Sequence, residues 1–199
     1  GRHRGVAVHT LASDPYFGRH DVYGYDDDDA RFILFSKAVV AAAALWDWRP
    51  DVIHCNDWHL GLAPQYARRG PHRAALDRTA TAFTIHNLAY QGWFSPERGH
   101  LIGLDDGFEG NLLARGIAFA DVINTVSRRY LEEIITPEHG MGLDGLLRSR
   151  IHDCSGILNG VDYEEFDPGS DPYIAAHYDS MTLERKRTNK AALQEWSGL

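Results

Sequence analysis

Short apolar runs alternate along the chain with longer segments in which apolar residues recur at helical spacing. The short runs are rich in β-branched and aromatic residues, and they predict strands at 6–11, 51–54, 81–85, 121–126 and 155–158. The longer segments predict helices at 31–45, 60–69, 112–120, 128–135, 143–150 and 182–196. Strands that alternate with helices form a parallel sheet covered by helices on both faces. The pattern therefore predicts an α/β fold.

Polar and aromatic residues follow two of the predicted strands. They are Asn56, Asp57, Trp58 and His59 after the strand at 51–54, and His86, Asn87, Tyr90, Gln91 and Gly92 after the strand at 81–85. Ligands of open α/β sheets bind beyond the carboxyl ends of the strands, so these two loops predict one shared cleft. Aromatic rings beside carboxylates and amides suit the apolar faces and hydroxyl edges of a sugar.

Each of these residues also has a purely structural interpretation. A lone histidine such as His86 is often part of a core, but the polar residues after it favour a functional role. Asp57 could cap the helix that follows it, and Trp58 could belong to the core. Asn159 and Gly160 could form a common turn, or could present backbone N–H groups to an anion after a strand.

Two groups of residues raise the possibility of a metal site. The four aspartates at 26–29 precede a predicted helix, where carboxylates complement the helix dipole and can cap free N–H groups. They lack the spaced oxygen ligands and the closing Glu of a calcium loop. A strand exit and a turn would spread His54, Asp57 and His59 apart, so no metal is predicted.

Composition narrows the class of protein. The chain has 199 residues, 44% of them hydrophobic, which is enough for one large domain with a core. A net charge of −8 argues against nucleic acid or an anionic membrane as the partner. There is no apolar run of about 18 residues to span a bilayer. The cysteines, Cys55 and Cys154, form no disulfide framework, which favours the cytoplasm. No dinucleotide or nucleoside triphosphate motif is present, so no cofactor is predicted.

Several motifs together resemble the bacterial glycogen synthase and plant starch synthase family, the ADP-glucose-dependent retaining α-1,4-glucan synthases. The matching segments are Tyr25 with residues 27–32, 51–54 with 56–59, 83–92, 120–121 with 125–127, Gly140 with 142–145, 156–162, and the tail positions Asp167, Pro168, Asp171, Tyr178, Lys186, Asn189, Lys190, Leu193 and Gln194. The His-Asn-Leu-Ala-Tyr-Gln-Gly and Leu-Asn-Gly-Val-Asp runs are specific in combination.

This resemblance implies half of a GT-B glycosyltransferase, in which two Rossmann-like domains face each other across a cleft. Residues 1–168 would be a partial N-terminal, glucan-acceptor-side domain. Residues 169–199 would be a linker and a helix leading to a C-terminal nucleotide-binding domain that this chain lacks. The family's Lys-x-Gly-Gly-Leu loop would lie before Gly1, so we expect a fragment that is incomplete at both ends.

The resemblance also implies roles for individual residues. His86 and Asp57 would be catalytic. The residues that would bind substrate are Trp58, Asn87, Tyr90, Gln91, Tyr25, Asn159 and Gly160. The partners would be ADP-glucose as donor and an α-1,4-glucan as acceptor, in a bacterial cytoplasm or a plant plastid. The groups that hold the diphosphate would lie in the absent half, so the chain alone is expected to be inactive.

The sequence departs from the family pattern at a few positions. Residues 127–130 read Ser-Arg-Arg-Tyr where Ser-Pro-Thr-Tyr is more usual, and Asp28 replaces a common Asn. These changes bear on acceptor preference more than on reaction class. Two alternatives stay open: another retaining GT-B transferase, of the sucrose- or trehalose-forming type, and a non-catalytic glucan-binding module.

Overall fold

The chain divides into two compact units. The computed structural model describes residues 1–104 and 110–199. The first unit is Gly1–Leu158 and the second is Asn159–Leu199. The domain boundary expected after residue 168 concerns the division of a longer protein, and it stays a prediction.

A four-stranded parallel sheet forms the centre of the first unit. Its strands are β3 (Val52–Asn56), β4 (Ala80–Ile85), β5 (Val122–Thr125) and β6 (Cys154–Gly156), and they lie side by side in chain order. Each neighbouring pair is connected through helical structure, as parallel strands require. The predicted α/β class with a parallel sheet is confirmed.

Helices precede and connect these strands. They are α1 (Asp14–Phe17), α2 (Asp28–Leu45), α3 (Ala63–Arg69), α4 (Leu112–Phe119), α5 (Arg128–Ile134) and α6 (Asp144–Ser149), with 3₁₀ turns at Trp58–Leu60, Arg73–Ala75, Pro96–Ile102 and Ile151–Asp153. Ser127 is the N-cap of α5, since its hydroxyl accepts a hydrogen bond from the Tyr130 N–H at 2.9 Å. None of the helices in residues 1–104 and 110–199 is long and apolar enough to cross a membrane.

The aspartates at the start of α2 form ion pairs with arginines. Asp27 occupies the N-cap position without a capping side-chain bond, and its carboxylate pairs with Arg19 at 2.6 Å. Asp28 pairs with Arg31 within α2, and Asp29 pairs with Arg98 at 2.6 Å. The predicted capping role is therefore wrong for Asp27, because guanidinium groups compete successfully for these carboxylates. Their charge still lies at the favourable end of the helix dipole.

One face of the sheet packs against helices and forms the core. Helix α3 contacts β3 and β4, and α5 contacts β5 and β6. The buried side chains of this layer include Ile53, Cys55, Phe83, Ile85 and Ile123 from the strands and Leu62, Tyr66, Leu113 and Ile117 from the helices. Burial raises the pKa of the Cys55 thiol to about 12, so this cysteine is an inert core residue.

The other face of the sheet is exposed at β3. Val52, His54 and Asn56 are exposed there, while Ile53 and Cys55 between them are buried. The sequence pattern predicted helices on both faces of the sheet. Within residues 1–104 and 110–199, helices pack against only one face of β3. Apolar and polar residues alternate in this strand, as is typical of a strand with one solvated face.

The predicted strand at 6–11 is not part of the sheet. Instead β2 (Val6–Ala7) pairs antiparallel with β1 (Arg2–His3) in a separate hairpin. The turn residues Arg4 and Gly5 have φ of 46° and 85°, and two positive values in succession are what a tight hairpin turn requires. Local turn geometry therefore decides the pairing of this segment.

The second unit contains a single α-helix, α7 (Lys186–Trp196), preceded by a 3₁₀ turn at Leu183–Arg185. The predicted tail helix is thus confirmed, with its first residues in the 3₁₀ turn. The Asn189 amide is hydrogen-bonded to both the N–H and the carbonyl of Ala176, at 2.8 and 2.9 Å. No side chain in the described range 159–199 is fully buried.

Candidate functional site

The exits of β3 and β4 bring the two predicted catalytic residues together. Asp57 directly follows β3 and His86 directly follows β4. The His86 N–H donates to Asp57 Oδ1 at 2.8 Å, and the Asp57 N–H donates to the carbonyl of Thr84 at 2.9 Å. His86 Nε2 lies 3.0 Å from Asn56 Oδ1. Side chains from neighbouring strands therefore meet at the carboxyl edge of the sheet, where ligands of such folds bind.

Asp57 has an uncommon backbone conformation. Its φ is 54° and its ψ is −176°, a region that few residues other than glycine adopt. It precedes the 3₁₀ turn Trp58–Leu60, but its side chain does not cap that turn. The carboxylate instead fixes the first residue of the loop after β4. The alternative interpretation of Asp57 as a side-chain cap is therefore wrong.

Trp58 is largely a core residue. It is 8% exposed, and its ring lies edge-on to Phe32 with centroids 4.8 Å apart. Gly92 passes so close that a Cβ there would lie 2.4 Å from Trp58 Cε3. The tryptophan thus supports the loop of residues 86–92 from below. A direct contact between its indole and substrate stays a prediction.

The loop of residues 86–92 presents polar and aromatic groups to solvent. Asn87 Oδ1 accepts from the Ala89 N–H at 3.0 Å, which forms a tight local turn. Tyr90 is 55% exposed, so its ring is available to a ligand. Leu88 is buried, and its N–H donates to the Tyr130 hydroxyl at 3.0 Å, which attaches the loop to α5. The loop is thus anchored at Leu88, and the residues on either side of it, 86–87 and 89–90, are exposed.

Gln91 fastens the end of the same loop. Its Nε2 donates to the Met141 carbonyl at 3.1 Å, and its Oε1 accepts from Asn111 Nδ2 at 2.6 Å. Asn111 is also the N-cap of α4, where its Oδ1 accepts from the Ala114 N–H. The structure thus gives the buried Gln91 amide a positioning role. Direct contact with substrate stays a prediction for this residue.

Tyr25 lines an open cavity of about 490 Å³. The other lining residues are Asp26, Asp28, Asp29, Trp93, Ser95, Glu97 and Arg98. The guanidinium groups of Arg19 and Arg31 lie 4.8 and 5.2 Å from the centre of the Tyr25 ring, within cation–π range. Aromatic rings, carboxylates and the guanidinium group of Arg98 together line this polar hollow.

Asn159 and Gly160 belong to the second unit, and both are exposed. Their assignment to the same site as His86 and Asp57 stays a prediction.

Two residues near the site were given no role in it from the sequence. Asn56 contacts His86, and Tyr23 lies with its ring centroid 6.4 Å from that of Tyr90. The signal for Asn56 was its alternation with the buried Cys55, which places it on the open face of β3 beside Asp57. No comparable signal exists for Tyr23, because it lies far from Tyr90 in the chain. Among the described residues, no group of three or more His, Cys, Asp or Glu is arranged to hold a metal ion.

Comparison with known proteins agrees with this geometry. The family described as starch synthase catalytic domain matches residues 1–149. The glycogen synthase of Moorella thermoacetica is 44% identical over 206 residues, covering 96% of this chain and 41% of the relative. That of Thermotoga maritima is 45% identical over 208 residues, covering 98% and 42%. This chain thus spans about two fifths of the length of these relatives.

A solved structure shows the same likeness. It is the catalytic domain of starch synthase IV from Arabidopsis thaliana bound to ADP and acarbose, with a TM-score of 0.72 and 32% identity. The match covers 89% of this chain and 39% of that one. The predicted fold class, a Rossmann-like half of a GT-B glycosyltransferase, is confirmed. The chain belongs to the starch synthase catalytic domain family.

Proposed function

We propose that the chain is the acceptor-side part of a glucan synthase that transfers glucose from ADP-glucose to the non-reducing end of an α-1,4-glucan with retention. The observation that carries this proposal is the hydrogen-bonded set of Asn56, Asp57 and His86 at the exits of two neighbouring parallel strands. Support comes from the relatives, which are named glycogen synthases, and from the starch synthase structure bound to ADP and acarbose. The enzyme would act in a bacterial cytoplasm or a plant plastid.

Asp57 and His86 have distinct tasks in the proposed site. Asp57 Oδ1 accepts the His86 N–H, which leaves Oδ2 to accept a hydrogen bond from a sugar hydroxyl. His86 is exposed at the sheet edge, and its ring is held by Asn56. Glucosyl transfer passes through an oxocarbenium-like state. A fixed carboxylate and a fixed imidazole beside the sugar stabilise its positive charge without reorganising.

Tyr90 and Asn87 would bind the pyranose ring. Exposed aromatic rings take the apolar face of a sugar, and exposed amides take its hydroxyls. In the proposal, Trp58 and Gln91 act through the loop they support. Tyr25, which lies in a separate cavity, is proposed as a further substrate-binding residue, as are Asn159 and Gly160 of the second unit.

The departing nucleoside diphosphate needs cations or fixed dipoles that neutralise its charge. This chain has a net charge of −8, and Arg19, Arg31 and Arg98 are paired with the carboxylates at the start of α2. We infer that the cations for the leaving group lie in the remainder of the parent protein. The 199-residue chain alone is then inactive.

The test is transfer of labelled glucose from ADP-, UDP- and GDP-glucose to glycogen by the full-length parent protein. ADP-glucose should be the preferred donor. The substitution His86→Ala should lower kcat by about 100-fold or more, since it removes a group beside the reacting carbon. The exposed His152 provides the matched control, because His152→Ala should retain wild-type activity.

Three results would contradict the proposal. Undiminished turnover by His86→Ala would remove His86 from the site. Absence of transfer from all three donors by the wild-type parent would favour the glucan-binding module. Transfer by the isolated 199-residue chain would show that the leaving-group cations are already present in it.

A further inference from the structure

His59 lies within a group of aromatic rings directly after Trp58. Its ring stacks on the Trp58 indole with centroids 4.2 Å apart and an interplanar angle of 29°. The Phe32 ring lies edge-on at 4.6 Å, and the Tyr23 ring lies at 5.7 Å. Aromatic surface therefore encloses the imidazole on several sides.

The Nε2 atom of this ring is buried and has no hydrogen-bond partner among the residues that the structure describes. A buried polar atom without a partner has lost its hydrogen bonds to water, and no hydrogen bond within the protein offsets that free-energy cost. Folded proteins contain few such atoms, and each calls for an explanation. An unfilled binding position is one such explanation.

The chemistry of His59 suits a neutral ligand group. Burial lowers the pKa of His59, and the nearby Arg31 adds to this, although the carboxylates of Asp57 and Asp28 oppose it. The ring is therefore neutral at neutral pH. A neutral imidazole nitrogen either donates or accepts one hydrogen bond, which matches a hydroxyl better than a phosphate.

His59 also lies close to the proposed catalytic residues. It is two residues from Asp57, which in turn holds the His86 N–H. Tyr23 and Tyr90, whose centroids are 6.4 Å apart, are both half-exposed and form a rim of rings beside it. Such a rim suits the face of a pyranose, whose edges carry the hydroxyls.

We propose that Nε2 of His59 forms a hydrogen bond to a pyranose hydroxyl, belonging either to the terminal glucose of the acceptor or to the glucose of the donor. This inference rests on the proposed function and adds a positioning residue to it. Among the described rings around His59, Trp58 and Phe32 are buried and Tyr23 is 49% exposed. Tyr23 is therefore the most accessible of these three rings.

The substitution His59→Phe in the parent protein tests the proposal. Phe keeps a ring against Trp58 and removes the nitrogen. We expect kcat/KM to fall at least tenfold while the Tm stays the same or rises, because replacing an unpaired buried nitrogen by carbon removes a desolvation cost. A purely structural role would not lower activity while preserving the Tm.

Separate KM values identify the source of the hydroxyl. A higher KM for glucan with an unchanged KM for ADP-glucose assigns it to the acceptor, and the reverse assigns it to the donor. His152→Phe is the matched control, since His152 is exposed, and both its kcat/KM and its Tm should equal those of the wild type.

Unchanged kcat/KM in His59→Phe would overturn the inference. A marked fall in Tm would overturn it as well, because it would show that the nitrogen has a structural partner. An inactive wild-type parent would refute the proposed function instead. In that case calorimetric titration of both variants with maltopentaose and with ADP-glucose decides. Tenfold weaker binding of either ligand by His59→Phe supports a hydroxyl contact, and equal binding of both ligands overturns it.

Discussion

Asp57 joins the ends of two strands through hydrogen bonds from its backbone and its side chain. Its N–H donates to the Thr84 carbonyl at 2.9 Å, and its Oδ1 accepts the His86 N–H at 2.8 Å. These contacts hold a backbone with φ of 54°, a conformation that costs about 1–3 kcal/mol for a residue with a side chain. The relative position of Asp57 and His86 therefore depends on the strained backbone conformation of Asp57.

Glycine and alanine at position 57 separate this strain from the loss of the carboxylate. Both substitutions remove the bond to the His86 N–H, but only glycine adopts positive φ freely. We expect Asp57→Ala to unfold more easily than Asp57→Gly by about 1 kcal/mol. Urea unfolding of the 199-residue chain measures the difference. Equal stability of the two variants would mean that the backbone at this position relaxes without strain.

Helix α4 packs closely against β4 at a glycine. Gly116 of α4 faces the fully buried Phe83 ring, and a Cβ on this glycine would lie 2.3 Å from Phe83 Cζ. Only a glycine permits this distance. The close contact sets the position of α4, whose N-cap Asn111 in turn holds Gln91 and the loop of residues 86–92.

Adding a methyl group at this contact should destabilise the chain. Gly116→Ala gains about 1 kcal/mol in helix propensity, but the new methyl group would lie 2.3, 2.4 and 2.8 Å from three atoms of the buried Phe83 ring. Overpacking this severe costs about 2–3 kcal/mol. We expect a net loss of about 1–2 kcal/mol in the free energy of unfolding. Gly145→Ala on α6 is the matched control, because its Cβ would meet nothing closer than 3.9 Å, and it should be neutral or stabilising. A neutral Gly116→Ala would show that Phe83 can shift.

The elements could be predicted from the sequence where one local pattern decides them. Short runs rich in β-branched residues predicted β3 and β4, and the polar residues after them predicted the shared cleft in which Asp57 and His86 meet. Strand β3 continues two residues beyond its predicted end, to Asn56. The hairpin at the N-terminus was missed because its pairing depends on two positive φ values that sequence alternation does not encode.

Contacts between segments distant in the chain were the least predictable part of the site. The pairing of Asp29 with Arg98, and the approach of Tyr23 to Tyr90, depend on how loops cross the sheet edge. The burial of Trp58 depends on the passage of Gly92 above it. None of these arrangements leaves a periodic signal.

At the scale of the whole molecule, the two units differ in how they can be stabilised. All the fully buried hydrophobic side chains of the described residues lie in the first unit, between Phe32 and Leu147. In the second unit Phe166, Tyr173, Leu193 and Trp196 are exposed. A segment of about 40 residues without a core is not expected to be stable by itself.

Separate expression of the units should show this difference. Residues 1–158 should unfold cooperatively in urea, because the core side chains all come from that range. Residues 159–199 alone should give a far-UV circular dichroism spectrum with little helix, since an isolated helix as short as α7 is marginal in water. A cooperative transition in the shorter piece would contradict this expectation.

The contact between His86 and Asn56 has a consequence for the tautomer of the imidazole. Asn56 Oδ1 is an amide carbonyl oxygen, which accepts hydrogen bonds and donates none. The hydrogen bond at 3.0 Å therefore places the ring proton of a neutral His86 on Nε2. The lone pair then resides on Nδ1. Nδ1 is then the ring nitrogen that can accept a hydrogen bond, and the Asn56 amide fixes this tautomer in the absence of substrate.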